Sequence, residues 1–206
     1  EKAFGYVSPI TLVELSNINN PLLKKLSETC AGTFQHSLQV SILASAASAK
    51  IGADTQLVRT GALYHDIGKM KNPPFFTENQ MKGINPHRDL PFEQSAQIII
   101  SHVTEGIKMA EKAGLPEAII DFIRTHHGAG KAKYFYNSYC NAHPGEPVDE
   151  SLFTYPGPNP FTRETAILMM ADSVEAASRS LNEYTDETIR ALVNKIIDGQ
   201  IADGLM

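Results

Sequence analysis

Apolar residues recur along this chain at spacings of three and four between Pro and Gly breaks, and no stretch alternates with a period of two for long enough to build a strand. The pattern predicts an all-helical fold. Thr33 is placed to cap a helix that runs to Lys50, with Gly52 as its terminator, and a second helix is expected from about Thr55 to Lys69. Pro91 opens a third that ends near Gly114, and Pro116 opens a fourth that stops at His127-Gly128. Residues 131–142 read as a short aromatic helix, Thr162 caps another that reaches about Leu181, and Asp186 starts the last. Two stretches resist helix, 71–90 and 143–160, the latter with five prolines. Loops of that length in a compact domain are often functional.

Several inward stripes of these helices carry a polar group. On the first, His36, Val40, Leu43 and Ala47 fall at i, i+4, i+7 and i+11, so an imidazole lies on the stripe expected to face the core. Val58, Gly61, Ala62 and His65 share a face of the second, with Asp66 a fraction of a turn round. Ile98, His102, Met109 and Ala113 line up on the third, with Glu105 and Gly106 between them, and Ile119, Ile123, His126 and His127 on the fourth. Leu168, Asp172 and Glu175 follow one stripe of the late helix, flanked by Ala171 and Ala176. Neighbours on a helix diverge by about 100°, so His126 and His127 converge only if the last turn loosens, which Gly128 permits.

Burying a neutral polar group without a partner costs of order 2–7 kcal/mol. Each such group could be paired with another side chain or a carbonyl, but five helices turning one inward point to a common compensating partner. Imidazole and carboxylate without thiolate suit Fe, Mn, Co or Zn better than Cu(I) or an iron–sulfur cluster. Five histidines and two aspartates, with one carboxylate bridging, give each of two ions about four protein ligands.

Composition narrows the picture. The 206 residues, 42% hydrophobic and 20% charged, read as one soluble globular domain covering 1–206, able to bury a core without staples. A formal charge of −5 excludes a basic field for long nucleic acid or an anionic membrane face. Cys30 and Cys140 form no CxxC pair. No run approaches the roughly 18 apolar residues of a membrane span, and the start lacks a signal-peptide pattern.

The order His36, His65-Asp66 within His-Asp-Ile-Gly-Lys (65–69), His102, His126-His127-Gly128 and Asp172 resembles the HD superfamily of metal-dependent phosphohydrolases. Further strings narrow the likeness: Ala-Gly-Thr-Phe-Gln-His (31–36), Glu-Asn-Gln-Met (78–81), Asn-Pro-His (85–87), Lys-Tyr-Phe-Tyr (133–136), Tyr-Pro-Gly-Pro (155–158) and Ala-Asp-Ser-Val-Glu-Ala-Ala (171–177). They are similar to the cytoplasmic domain of the seven-transmembrane, PgpH-type cyclic-di-AMP phosphodiesterases, over nearly the whole chain. Where the HD-GYP cyclic-di-GMP phosphodiesterases carry Gly-Tyr-Pro, His127 is followed by Gly-Ala-Gly-Lys-Ala-Lys-Tyr (128–134), which counts against cyclic-di-GMP.

The resemblance implies an all-α single HD-domain helical bundle with a buried dinuclear site. It assigns His36, His65, Asp66 and Asp172 to one ion and Asp66, His102, His126 and His127 to the other, iron being the first expectation and manganese the second. A metal-bridging hydroxide would open cyclic-di-AMP to the linear dinucleotide pApA by expelling a ribose 3′ oxygen, with Asp66 keeping the ions paired. Lys69 would touch a substrate phosphate; its other reading is a cation at a helix C-terminus, favourable by about 0.3–1 kcal/mol. Arg88, Tyr155 and Arg163, in or beside the irregular loops, are candidate substrate contacts. Tyr134, Phe135 and Tyr136 can stack a base or pack as core, and Glu105 and Glu175 are placed to orient ligand imidazoles. The parent would be a bacterial plasma-membrane protein with its membrane portion upstream and this domain in the cytoplasm; the oligomeric state stays open. The alternatives are another HD phosphohydrolase, acting on cyclic-di-GMP, a nucleotide or a phosphomonoester, and a metal-retaining nucleotide-binding sensor.

Overall fold

The protein is described by a computed structural model covering residues 7–81 and 83–206. The described residues form nine α-helices, and their one β-type pairing is an isolated bridge between Lys131 and Thr154. The helices are α1 (Pro9–Leu15), α2 (Pro21–Thr29), α3 (Ala31–Ile51), α4 (Thr55–Tyr64), α5 (Phe92–Lys112), α6 (Glu117–Thr125), α7 (Lys133–Ala142), α8 (Arg163–Ser178) and α9 (Asp186–Ala202). The all-helical expectation is met.

Helices α1 and α2 were not anticipated. Each is nevertheless marked by a side-chain cap followed by proline at the first turn: Ser8 accepts from the Thr11 amide and Asn20 from the Leu22 amide. Helix α3 begins at Ala31, so Thr33 is not its cap. Thr33 is buried instead and tethers the loop after α4, its amide donating to Asn79 Oδ1 at 3.1 Å and its hydroxyl to Glu78 Oε1 at 3.0 Å. The stop at Gly52, with φ of 67°, is as expected.

The buried stripe of α3 runs through His36, Val40, Ala44 and Ser48, not through Leu43 and Ala47. Ile42 and Leu43 are 62% and 40% exposed. The small residues on the inner stripe let α4 and α8 lie close, and the bulky ones are left outside.

Three apolar groups hold the bundle. Leu23, Leu26, Leu63, Tyr64, Ile119 and Ile123 join α2, α4 and α6. Val40, Val58, Phe122, Ile167 and Leu168 join α3, α4, α6 and α8. Ala96, Ile100, Val103, Phe153 and Tyr155 seal α5 against residues 153–155, with Phe135 and Tyr136 of α7 packed on the same group. Each large side chain fully buried in this way contributes about 1.5–3 kcal/mol.

The second and fourth helices end early. Helix α4 stops at Tyr64 rather than Lys69, and the chain continues through His65 and Asp66 into a 3-10 turn over Ile67–Lys71. Helix α6 stops at Thr125, and Gly128 takes φ of 54° just after the histidine pair. Helix α8 ends at Ser178, three residues short of Leu181. Among the described residues, the stretches 71–90 and 143–160 hold nothing longer than 3-10 turns, at Pro73–Phe75, Thr77–Asn79 and Glu150–Phe153.

Candidate metal centre

The early helix ends aim the ligands. His65 Nδ1 lies 2.7 Å from the Ala62 carbonyl, His102 Nδ1 2.6 Å from that of Ile99, and His126 Nδ1 2.8 Å from that of Ile123, each three residues back. A carbonyl only accepts, so each Nδ1 carries a hydrogen, and in the neutral ring, the form that binds metal, Nε2 is left with the lone pair. For His65 and His126 the carbonyls belong to the last helical turn, where a helix leaves them short of amide donors. His36 differs: its Nδ1 meets Glu175 Oε2 at 2.5 Å.

The ligand atoms gather into two groups. His36, His65 and Asp172 form one, and His102, His126 and His127 the other, the atoms within each lying inside 4.8 Å of one another. Asp66 is divided between them. Its Oδ2 lies 3.6 Å from His36 Nε2 and 3.3 Å from His65 Nε2, whereas its Oδ1 lies 3.4 Å from His102 Nε2 and 3.6 Å from His126 Nε2. Metal bonds of about 2.1 Å in a tetrahedral shell set neighbouring ligand atoms roughly 3.4 Å apart. These contacts match that spacing.

The donor set fits divalent ions on two further observations. His65 Nε2 and Asp66 Oδ1 are buried with no hydrogen-bond partner; His65 Nε2 has carboxylate oxygens of Asp66 and Asp172 at 3.3 and 3.6 Å but aligns with neither. His102 Nε2 and His126 Nε2 stand 3.0 Å apart with lone pairs facing, a repulsive arrangement that a cation between them reverses.

Charge follows the same division. Burial alone would raise the Asp66 and Asp172 carboxyls, but His65 and Lys69 beside the first, and His36 and His65 beside the second, hold both well below the usual carboxylate range. Burial works to lower His65, yet the two carboxylates push it up to about 10. Burial dominates in the other group: with neighbouring imidazoles it keeps His126 well below the ordinary value, it holds His127 down to about 3 together with His102, and it lowers His102 despite Asp66.

Above the ligands is a cleft of about 380 Å³ whose lining includes Lys69, Glu78, His127, Asp172 and Arg179. Lys69 Nζ donates to Asp66 Oδ2 at 2.7 Å and to Glu78 Oε1 at 2.9 Å, and these carboxylates raise its pKa against the effect of burial. Arg179 Nη2 donates to both oxygens of Glu175 at 2.8 Å. Arg88 lies in a neighbouring cavity of about 520 Å³ with Phe75, His87, Tyr134 and Phe135, and that cavity shares Thr77 and Glu78 with the metal cleft. Tyr155 is buried with its ring 4.2 Å from His127, so it supports a ligand. Arg163 is exposed at the first residue of α8, and helical rise sets its Cα roughly 13 Å from that of Asp172. Glu175 reaches a ligand imidazole as expected, but Glu105 does not: it faces solvent and pairs with Lys108 at 2.7 Å and Lys71 at 3.9 Å. Tyr134 is 75% exposed, while Phe135 and Tyr136 pack on the core. Glu78, although it opens the Glu-Asn-Gln-Met string, and Arg179 were not singled out as site residues, since their places at the cleft depend on how α3, α8 and the loop after α4 pack together.

Comparison with known proteins agrees with this geometry. The HD domain family model matches residues 33–177. The cyclic-di-AMP phosphodiesterase PgpH of Listeria monocytogenes is 46% identical over 204 residues, covering 99% of this chain and 28% of that protein. The cyclic-di-AMP phosphodiesterase PgpH of Bacillus subtilis is 44% identical over the same length, with the same two shares. The chain thus spans under a third of the length of these curated relatives. A crystal structure of the L. monocytogenes phosphodiesterase PgpH HD domain in complex with cyclic-di-AMP superposes with a TM-score of 0.87 at 46% identity, covering 92% of this chain and 87% of that one.

Proposed function

This chain belongs to the HD-domain family, and on that premise we propose that it is a metal-dependent phosphodiesterase that opens cyclic-di-AMP to linear pApA. The observation that carries the reading is Asp66, one buried carboxylate whose two oxygens face two separate imidazole groups beneath a cleft. The likeness to a domain crystallised with cyclic-di-AMP supports the choice of substrate.

His36, His65, Asp66 and Asp172 would hold one ion, and Asp66, His102, His126 and His127 the other. Two such ions would supply a water of lowered pKa and positive charge for the attacking and leaving oxygens of an in-line displacement. Iron, then manganese, is the expected metal on family resemblance. In the net reaction water adds across one phosphorus–O3′ bond, leaving a 3′ hydroxyl and a 5′-phosphate.

The chain's own residues explain why ions are needed even for binding. Asp66, Asp172, Glu78 and Glu175 outnumber Lys69 and Arg179 around the cleft, so a substrate with two phosphate charges meets a negative site until divalent ions reverse the sign. Lys69 has its pKa raised, so it keeps its proton and serves as a charge partner for phosphate rather than a proton donor. Phe76, whose ring meets His102 edge-on at 5.7 Å, and Tyr155, whose ring lies 4.2 Å from His127, pack against the imidazoles of the second group. The adjacent cavity with Arg88, Tyr134 and Phe135 receives one adenosine. On the same resemblance, the domain sits at the cytoplasmic face of a longer bacterial membrane protein. Among the described residues no helix is long and apolar enough to cross a membrane.

The test is product analysis of cyclic-di-AMP incubated with the chain loaded with Mn(II) or Fe(II). Appearance of pApA supports the proposal. Full metal occupancy without turnover of any cyclic dinucleotide refutes it, and release of inorganic phosphate from monoesters instead points to a different HD phosphohydrolase. In Arg88→Ala, KM should rise with kcat little changed.

A further inference from the structure

From the unlike halves of the ligand cluster we propose that the two ions bind in order, the His36, His65 and Asp172 half filling first, and that the Glu175–Arg179 pair is the positioning device that sets this order. The inference rests on reading the cluster as a two-ion centre and is independent of the substrate.

Ligand charge is the first difference. Asp66 gives one oxygen to each half; the one facing the first half, Oδ2, also accepts from Lys69 Nζ at 2.7 Å, a charge that Glu78 shares. The first half adds the carboxylate of Asp172, whose Oδ1 lies 2.8 Å from His36 Nε2, whereas the second adds three imidazoles and no further carboxylate. Two cations approach the first half and would weaken it if free. Both are balanced by carboxylates outside the ligand set: Lys69 by Glu78 at 2.9 Å and Arg179 by Glu175 at 2.8 Å. Asp172 is therefore the uncompensated difference between the halves.

The second difference lies behind the rings. His65, His102 and His126 each donate Nδ1–H to a neutral carbonyl, so this feature alone does not separate the halves. His36 faces a carboxylate, Glu175 Oε2, at 2.5 Å. A carboxylate behind an imidazole raises its basicity as a ligand and fixes its orientation. Glu175 is itself fixed, with Arg179 Nη2 at 2.8 Å from both its oxygens and Nε at 3.2 Å from Oε1. Arg179 thus holds Glu175, Glu175 holds His36, and His36 presents Nε2 beside Asp172. A harder ion such as Mn(II), which favours carboxylate oxygen, should prefer this half.

The experiment is titration of the chelator-stripped chain with Mn(II), reading bound ion by equilibrium dialysis and its spin state by electron paramagnetic resonance. Wild type should bind two ions, the first at least about ten-fold tighter, with an uncoupled spectrum at one equivalent and a spin-coupled pair at two. Glu175→Gln keeps the shape and removes the charge; it should weaken the first step by about ten-fold, the low end of the range for an outer-shell partner, and leave the second within about three-fold. Arg179→Gln should weaken the same step by less, and Arg179→Lys, which keeps a point charge for Glu175, should recover most of the loss. His127→Ala should abolish the second step alone. Arg179 is 45% exposed on its side chain, so its variants test the idea even if Glu175→Gln unfolds. Equal affinities, a coupled spectrum below one equivalent, or a Glu175→Gln effect that is absent or equal on both steps overturns the proposal with the two-ion reading intact. No binding at millimolar Mn(II) overturns both.

Discussion

Gly68→Ala tests how the two groups are held together. Gly68 lies in the 3-10 turn two residues after Asp66, and the turn rests directly on the backbone of α5. A Cβ at this position would stand 1.8 Å from the His102 carbonyl oxygen, 2.8 Å from its carbon and 2.5 Å from the Gly106 nitrogen. Those atoms are main chain and cannot rotate away, and ordinary contact begins at 3.4 Å. The turn must therefore withdraw by on the order of 1.5 Å, against the roughly 0.2 Å tolerance of a metal–ligand bond. Asp66 Oδ1, now 3.4 Å from His102 Nε2, would move out of bridging range. Overpacking costs about 1–3 kcal/mol, and an obstruction made of backbone belongs at the upper end; at about 2–4 °C per kcal/mol for a domain of this size, Tm falls by roughly 6–12 °C. The assay pairs calorimetry in chelator with metal content after Mn(II) loading and desalting. Gly52→Ala is the control: its φ is 67° and nothing lies within 4 Å, so it should lose about 1–2 kcal/mol and still hold two ions. A Gly68→Ala protein with two tightly held ions and a Tm within 2 °C of wild type would refute the argument.

Three other outcomes follow from the same geometry. Lys69→Met strips Asp66 and Glu78 of the ammonium at 2.7 and 2.9 Å, so urea unfolding in chelator should show a loss of about 3–5 kcal/mol, as for other broken buried pairs. In chelator the fold should be most stable near pH 6.5. Below that the unfolded chain takes protons that folded His102, His126 and His127 refuse, at up to about 1.4 kcal/mol per histidine per pH unit, and above it folded His65, with its pKa near 10, keeps a proton the unfolded chain gives up. A melting temperature that climbs steadily from pH 5 to 9 contradicts this. Saturating metal should stabilise the chain by about 4 kcal/mol for each ion at a thousand times its Kd, so that two ions raise Tm by roughly 16–32 °C.

The ligands were legible because a histidine or aspartate on an apolar stripe conflicts with its surroundings wherever the helix ends. His36, His102 and Asp172 are buried on their helices as the spacing requires. The details that failed depend on packing between segments. Leu43 was expected inside because i+7 falls only about 20° from His36 round the helix, but the buried residues Ser37, Val40, Ser41, Ala44 and Ser48 centre the inward face on the other side of His36, which leaves Leu43 at its rim. Thr33 reads as a cap locally, yet Asn79 and Glu78, more than forty residues away, engage its amide and hydroxyl. Glu105 and Glu175 look equivalent in sequence; Lys108 and Lys71 hold the first at the surface, while α3 brings His36 to the second.

The two early helix ends tie these failures to the site. Had α4 continued to Lys69, His65 and Asp66 would be separated by about 100°, and only one could lie squarely in the interior. Stopping at Tyr64 lets Asp66 take φ of −107° and ψ of 12°, outside α-helical values, and that turn points its carboxylate back under His65. The α6 end does the same for His126 and His127, whose ring centroids come to 4.1 Å before Gly128 turns the chain away. A continuous helix would satisfy more of its own backbone. The chain instead uses the released carbonyls of Ala62 and Ile123 to fix two ligand tautomers, so the loss of helical regularity and the orientation of the metal ligands are one structural event.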